Sequence, residues 1–178
     1  MAAKKRWRIV KSDQSINDCI EAVPIDTELK SQVKKASVIL IPQEGFRDFR
    51  GPVFPVGTSE LLQYLRDKQE GGFTVDIAID DESYHELALH SELLVLAGFA
   101  VQDLAMPILS QAIYDYVKHR LGSRIKDSDL KLDLLIENSS ETDKKFANLS
   151  YEGPAENIKE VLDTASNAFR NNKFDEDN

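Results

Sequence analysis

At 178 residues, with 42% hydrophobic and 30% charged side chains, the chain is long enough to bury a core as one domain and needs neither disulfide nor metal to fold. Its net charge of −9 argues against a protein that coats nucleic acid, because phosphate binding needs a basic face. The single cysteine, Cys19, rules out an intramolecular disulfide and fits a reducing compartment, and the charged N-terminus predicts a cytoplasmic protein.

Residues 1–11 carry Lys4, Lys5, Arg6, Arg8 and Lys11 and no acid, which makes them +5 against −14 for the rest. They read as a basic arm leading into a short strand at Trp7–Val10, ahead of a single domain over residues 12–170. Asp13–Ala22 has no clear pattern. Asp26 is placed to cap a helix through Lys35, and the β-branched run Ser37–Pro42 predicts a buried strand. Gln43–Gly57 holds three glycines and two prolines and reads as a loop. Thr58 or Ser59 can cap a helix to about Lys68 with Leu61, Leu62 and Leu65 inward.

From Phe73 the pattern predicts a hairpin, a helix, a second hairpin and a second helix. Phe73–Ile79 alternates, Asp81–Ser83 has turn chemistry, and Tyr84–Leu89 can return. Leu93–Leu121 reads as a long apolar helix capped by Ser91, kinked by Pro107 and stopped by Gly122. Leu130–Ile136 and Phe146–Tyr151 form the second hairpin. Ile158, Val161, Leu162, Ala165 and Phe169 form the inner stripe of the last helix, and residues 171–178 read as a disordered acidic tail. The expected fold is α+β, with a mainly antiparallel sheet and helices packed on one face.

The Leu93–Leu121 helix carries the functional expectation. Gln102, Asp103, Ser110, Gln111 and Asp115 interrupt it, and an acid at mid-bilayer is costly, so it does not read as a membrane span. Leu93, Leu96, Ala100, Leu104, Ile108 and Tyr116 lie on an apolar face too broad for one sheet to cover. That predicts a homo-oligomer or a partner protein seated on it.

Catalytic and metal motifs are not found. His85 and His90 stand five apart, whereas the zinc-helix pattern needs four, and no cofactor or metal is expected. Cys19 lacks a supporting motif, and the acids at 80–82 read as a solvated turn. The best small-ligand candidate is the loop with Arg47, Phe49, Arg50 and Phe54, beside the helix start at Thr58 and Ser59. Arginines among aromatics suit a nucleotide or a single nucleic-acid strand, and a helix start can hold an anion. The same phenylalanines equally suit anchors that pin a long loop to the core.

Leu149-Ser150-Tyr151-Glu152-Gly153-Pro154, with an amphipathic helix after it and a long apolar helix before it, resembles the small non-enzymatic effector-associated components of bacterial conflict and antiviral-defence systems. The resemblance covers roughly residues 91–170. It implies an adaptor or regulator that docks on another protein. The sequence thus predicts a non-enzymatic interaction module, with a nucleotide- or nucleic-acid-binding protein, enzymatic or not, as the alternative.

Overall fold

Residues 6–45, 49–88 and 93–175 are described by the computed structural model. The second half of the basic arm forms strand β1 (Arg6–Lys11). Helix α1 (Ile16–Glu21) starts on a capping box: the Ser15 hydroxyl accepts from the Asp18 N–H, and the Asp18 carboxylate accepts from the Ser15 N–H, both at 3.0 Å. Helix α2 (Thr27–Val33) is capped by Asp26 as expected, its carboxylate 2.7 Å from the Leu29 N–H. Strand β2 (Val38–Ile41) is the predicted β-branched run. A short strand β3 (Phe54–Pro55) then leads into helix α3 (Thr58–Arg66).

Strand β4 (Val75–Ile77) lies parallel to β2 and is not the first arm of a hairpin. The expected return strand instead forms β5 (Glu86–Leu87), which pairs with β3 in a separate small ladder. The Leu93–Leu121 segment differs most from expectation. It contains two strands, β6 (Leu93–Val95) and β7 (Gly98–Gln102), a 3-10 turn at Asp103–Ala105, and only then helix α4 (Met106–Leu121). Pro107 starts this helix and does not kink it, since its missing N–H costs nothing in a first turn. Gly122 ends it as predicted. The hairpin β8 (Asp129–Glu137) and β9 (Phe146–Pro154) and helix α5 (Ile158–Arg170) follow as read.

The fold is α+β, but the main sheet is mixed. Its order is β1-β9-β8-β7-β2-β4, with β6 also on β8. The ladders β1–β9, β8–β9 and β2–β7 are antiparallel, while β7–β8, β6–β8 and β2–β4 are parallel. Between the pairs Val95–Lys131 and Phe99–Leu134, Leu96–Gly98 on one strand oppose Leu132–Asp133 on the other. The extra residue makes a bulge that splits β6 from β7.

Helices pack on both faces, not on one. Val38, Leu40, Phe99, Val101, Leu134 and Ile136 meet α3, α4 and α5 on the first side. Ile39, Ala100 and Leu135, which alternate with them, meet Ile16, Ile20 and Val33 of α1 and α2 on the second. All five expected residues of the α5 stripe are buried. The segment expected as a disordered tail folds back at least to Asp175. The Asp175 N–H donates to the Ile9 carbonyl, the Ile9 N–H donates to the Asp175 carboxylate, both at 2.8 Å, and Phe174 meets Phe169 edge-on. No helix among the described residues is long and apolar enough to cross a membrane.

Candidate functional site

The start of α3 is the best-built polar constellation among the described residues. Its N-cap is Gly57, not Thr58 or Ser59, so no side chain at the cap satisfies the first N–H groups. Glu86, delivered from β5, does so from outside. Its carboxylate accepts from the Gly57 N–H at 3.2 Å, from the Ser59 N–H at 2.9 Å and from the Tyr84 hydroxyl at 2.6 Å. The Thr58 hydroxyl turns back to donate to the Pro55 carbonyl at 2.6 Å.

Helix α4 closes the far side. The Tyr116 hydroxyl donates to the Gly57 carbonyl at 3.1 Å, and Arg120 reaches Glu60 at 3.3 Å with His119 on the other carboxylate oxygen at 3.5 Å. Tyr64 lies edge-on to Tyr116 and tilted against His119.

These contacts set the protonation of the cluster. Burial works against the Glu86 carboxylate, but the Tyr84 hydroxyl, the two helix N–H groups and the Arg120 charge together hold its pKa below the ordinary value. Burial, then the Glu86 carboxylate, pushes the Tyr84 phenol well above its usual range. Burial likewise raises Tyr116 to about 12. Glu86 is therefore ionised and fully engaged at neutral pH, and both phenols stay protonated as donors.

A pH test follows from the sign of the Glu86 shift. A depressed carboxylate contributes stability that is complete above the unfolded glutamate value of about 4.3. That contribution is lost as pH falls through the lower folded value. The melting temperature of the parent should exceed that of Glu86→Gln at pH 7, and the gap should close as pH drops below about 4.3. Parallel curves down to acid would refute the assignment.

The sequence-nominated ligand residues are placed as follows. Arg47 lies outside the described residues, as does Phe46. Phe49 sits edge-on to His85 with ring centroids 5.5 Å apart, and Phe54 stacks on Tyr84 at 5.3 Å. Arg50 is exposed. The anchoring role open to the phenylalanines is thus the one these contacts display for Phe49 and Phe54. At Thr58 and Ser59, the helix start that suits an anion already holds the chain's own carboxylate. A phosphate there would have to displace Glu86. An adjoining cavity of about 240 Å³ is lined by Ser59, Leu62, Arg66 and Tyr84 among others.

The expected interface residues do not share one helix face. Leu93 lies on β6, Ala100 lies on β7, and Leu96 falls in the bulge between these strands. Leu96, Ala100 and Tyr116 are buried within the chain itself. Leu104 and Ile108 alone of the six are exposed. Burial pushes the Cys19 thiol pKa up, which makes it a poor nucleophile. Among the described residues no three His, Cys, Asp or Glu side chains converge as metal ligands.

Sequence reasoning missed Glu86, Tyr84 and Arg120 at this site and placed Tyr116 on an interface instead. A signal existed for Glu86: a helix opening on Gly-Thr-Ser with glycine as cap needs an acceptor from elsewhere, and Tyr84 and Glu86 stand two apart.

No protein-family model matches the chain, and no solved structure matches it. A stretch of 97 residues is 32% identical to 1-phosphatidylinositol 4,5-bisphosphate phosphodiesterase delta-3 of Mus musculus. The match takes in 52% of this chain and 12% of the mouse protein, so the similarity spans a small part of that protein's length.

Proposed function

We propose that the chain is a non-enzymatic protein-interaction module, an adaptor or regulatory subunit that presents the start of α4 to another protein. One observation carries this reading. Leu104 is 71% exposed and Ile108 is 41% exposed, and they stand four positions apart where the 3-10 turn runs into α4. They leave two exposed apolar side chains on the short stretch that opens α4, an apolar knuckle at this end of the helix. A single exposed leucine is ordinary, but an adjacent pair at a helix start suits the anchor of a contact surface. The resemblance of residues 91–170 to effector-associated components implies the same kind of role.

The test is a double substitution, Leu104→Asp with Ile108→Asp. Both side chains are exposed, so stability should change little, by about ±0.5 kcal/mol per surface change. The parent should bind a hydrophobic dye and show rising mass with concentration in light scattering, and the double variant should lose both. A parent that stays monomeric at high concentration without dye binding counts against the module. A nucleotide-dependent rise in melting temperature that Arg50→Ala removes would favour the ligand-binding alternative instead.

A further inference from the structure

We infer that the outer edge of β1 is a docking site for an acidic, extended segment of a partner protein, and that the chain's own C-terminal end holds this edge shut. This goes beyond the knuckle at Leu104 and Ile108 and uses a different surface.

Among the described residues strand β1 pairs in the sheet with β9 alone, so it is an edge strand. In an antiparallel ladder, alternate residues direct both backbone groups to the neighbour and the others direct theirs away. The Ser12 N–H donates to the Phe146 carbonyl, which puts the even positions of this stretch toward β9. The odd positions Trp7, Ile9 and Lys11 therefore turn their N–H and C=O groups outward. Ile9 confirms the parity, because both of its backbone groups meet Asp175.

Asp175 acts as a stand-in for one residue of a neighbouring strand. Its N–H takes the Ile9 carbonyl, and its carboxylate replaces the backbone carbonyl that a true strand would offer the Ile9 N–H. The strap covers Ile9, whereas a full strand would engage Trp7, Ile9 and Lys11 in turn. It is kept in place by its neighbours. Phe174 packs on Phe169, and Lys145 donates to the Phe169 carbonyl and to Asn172.

Charge identifies the occupant. Strand β1 carries Arg6, Arg8 and Lys11 in its sequence, while the rest of the chain is strongly acidic. A groove of about 520 Å³ opens beside the strand end, with Lys11, Lys144 and Lys145 in its lining against Asp13 and Asp143. Asp175, which now caps the edge, is itself acidic, and Glu176 and Asp177 follow it in the sequence. An extended acidic peptide would add a strand, as other sheet edges accept peptides, and place carboxylates near the lysines.

The strap competes as an intramolecular ligand at high effective concentration, so affinity for a peptide in trans is reduced by the closed fraction. The test uses the full chain and a fluorescent peptide with the sequence of residues 171–178. Asp175→Pro removes both bonds to Ile9, and it should speed hydrogen exchange at the Ile9 amide and tighten peptide binding at least tenfold. Reversing charge with Lys11→Glu in that background should weaken binding again, and Leu104→Asp with Ile108→Asp should leave it unchanged. In the parent, millimolar peptide should slow exchange at the Trp7 and Lys11 amides, which the strap does not cover, and this readout needs no variant. Equal peptide affinity for parent and Asp175→Pro, no protection of Trp7 and Lys11, or self-association of the variant without peptide binding overturns the inference. The last result would leave the strap as a guard against edge-to-edge pairing. A parent that binds no dye and stays monomeric, with peptide binding intact, would reject the module surface and leave this one standing.

Discussion

Replacing Phe54 with alanine should cost about 3–5 kcal/mol, the range for a buried phenylalanine lost from a packed core. Phe54 is fully buried, stacks on Tyr84, and donates its backbone N–H to the His85 carbonyl. In a domain of this size such a loss lowers the melting temperature by roughly 6–20 °C. The effect should exceed simple cavity formation at one point. The ladder of β3 on β5 is two residues long, and it is what delivers Glu86 to α3. Phe54→Leu, which keeps most of the volume, should cost much less. Urea unfolding of the three proteins decides it, and a Phe54→Ala variant within about 1 kcal/mol of the parent would show that the loop is not pinned there.

Gly57→Ala should destabilise by about 1–4.5 kcal/mol, whereas glycine-to-alanine at an unstrained position is usually neutral or stabilising. Gly57 has φ +94°, a conformation that costs an L side chain about 1–2 kcal/mol. A Cβ there would also fall 2.8 Å from the Tyr116 hydroxyl. That hydroxyl would have to leave the Gly57 carbonyl, and an unpaired buried donor costs about 1–3 kcal/mol. The alanine's stiffer unfolded chain returns about 0.4–1 kcal/mol, which sets the net figure. Combining Gly57→Ala with Tyr116→Phe separates the two causes. If steric overlap and the lost hydrogen bond dominate, the double variant costs less than the sum of the singles, as expected for neighbours. Strict additivity would assign the whole loss to the backbone conformation.

Where the sequence pattern matched one environment, the elements were legible. The hairpin of β8 and β9 faces a core on one side along most of its length, so Leu130, Leu132, Leu134 and Ile136 alternate cleanly with Lys131 and Asp133. Helix α5 has a single buried stripe and reads directly. Strand β7 is the opposite case. It lies inside a sheet with helices on both sides, so Phe99, Ala100 and Val101 are all buried and the alternation disappears. A continuous apolar run of that kind cannot be told from a buried helix by period alone. Joined to the true helix α4 by a 3-10 turn, it looked like one long rod. The rod's breadth was the two-sided burial of a strand, not an uncovered helix face.

The candidate site was hidden for a different reason. Glu86 and Gly57 are far apart in sequence and meet through two-residue strands, which leave almost no periodic trace. Phe49 and Phe54 were visible as anchors, but their partners His85 and Tyr84 come from a segment that looked like the arm of a hairpin. Long-range aromatic pairing of this kind follows from the topology and not from local propensity.

The pairing of β1 sets a timetable for biosynthesis. Its inner side waits for β9 and its outer side for Asp175, 166 positions downstream of Ile9. A nascent chain emerging from the ribosome therefore carries this strand without its partners until β9, and then Asp175, have been added. Closing so long a loop is slow, so the final zippering of β1 should limit the rate at which the newborn protein matures.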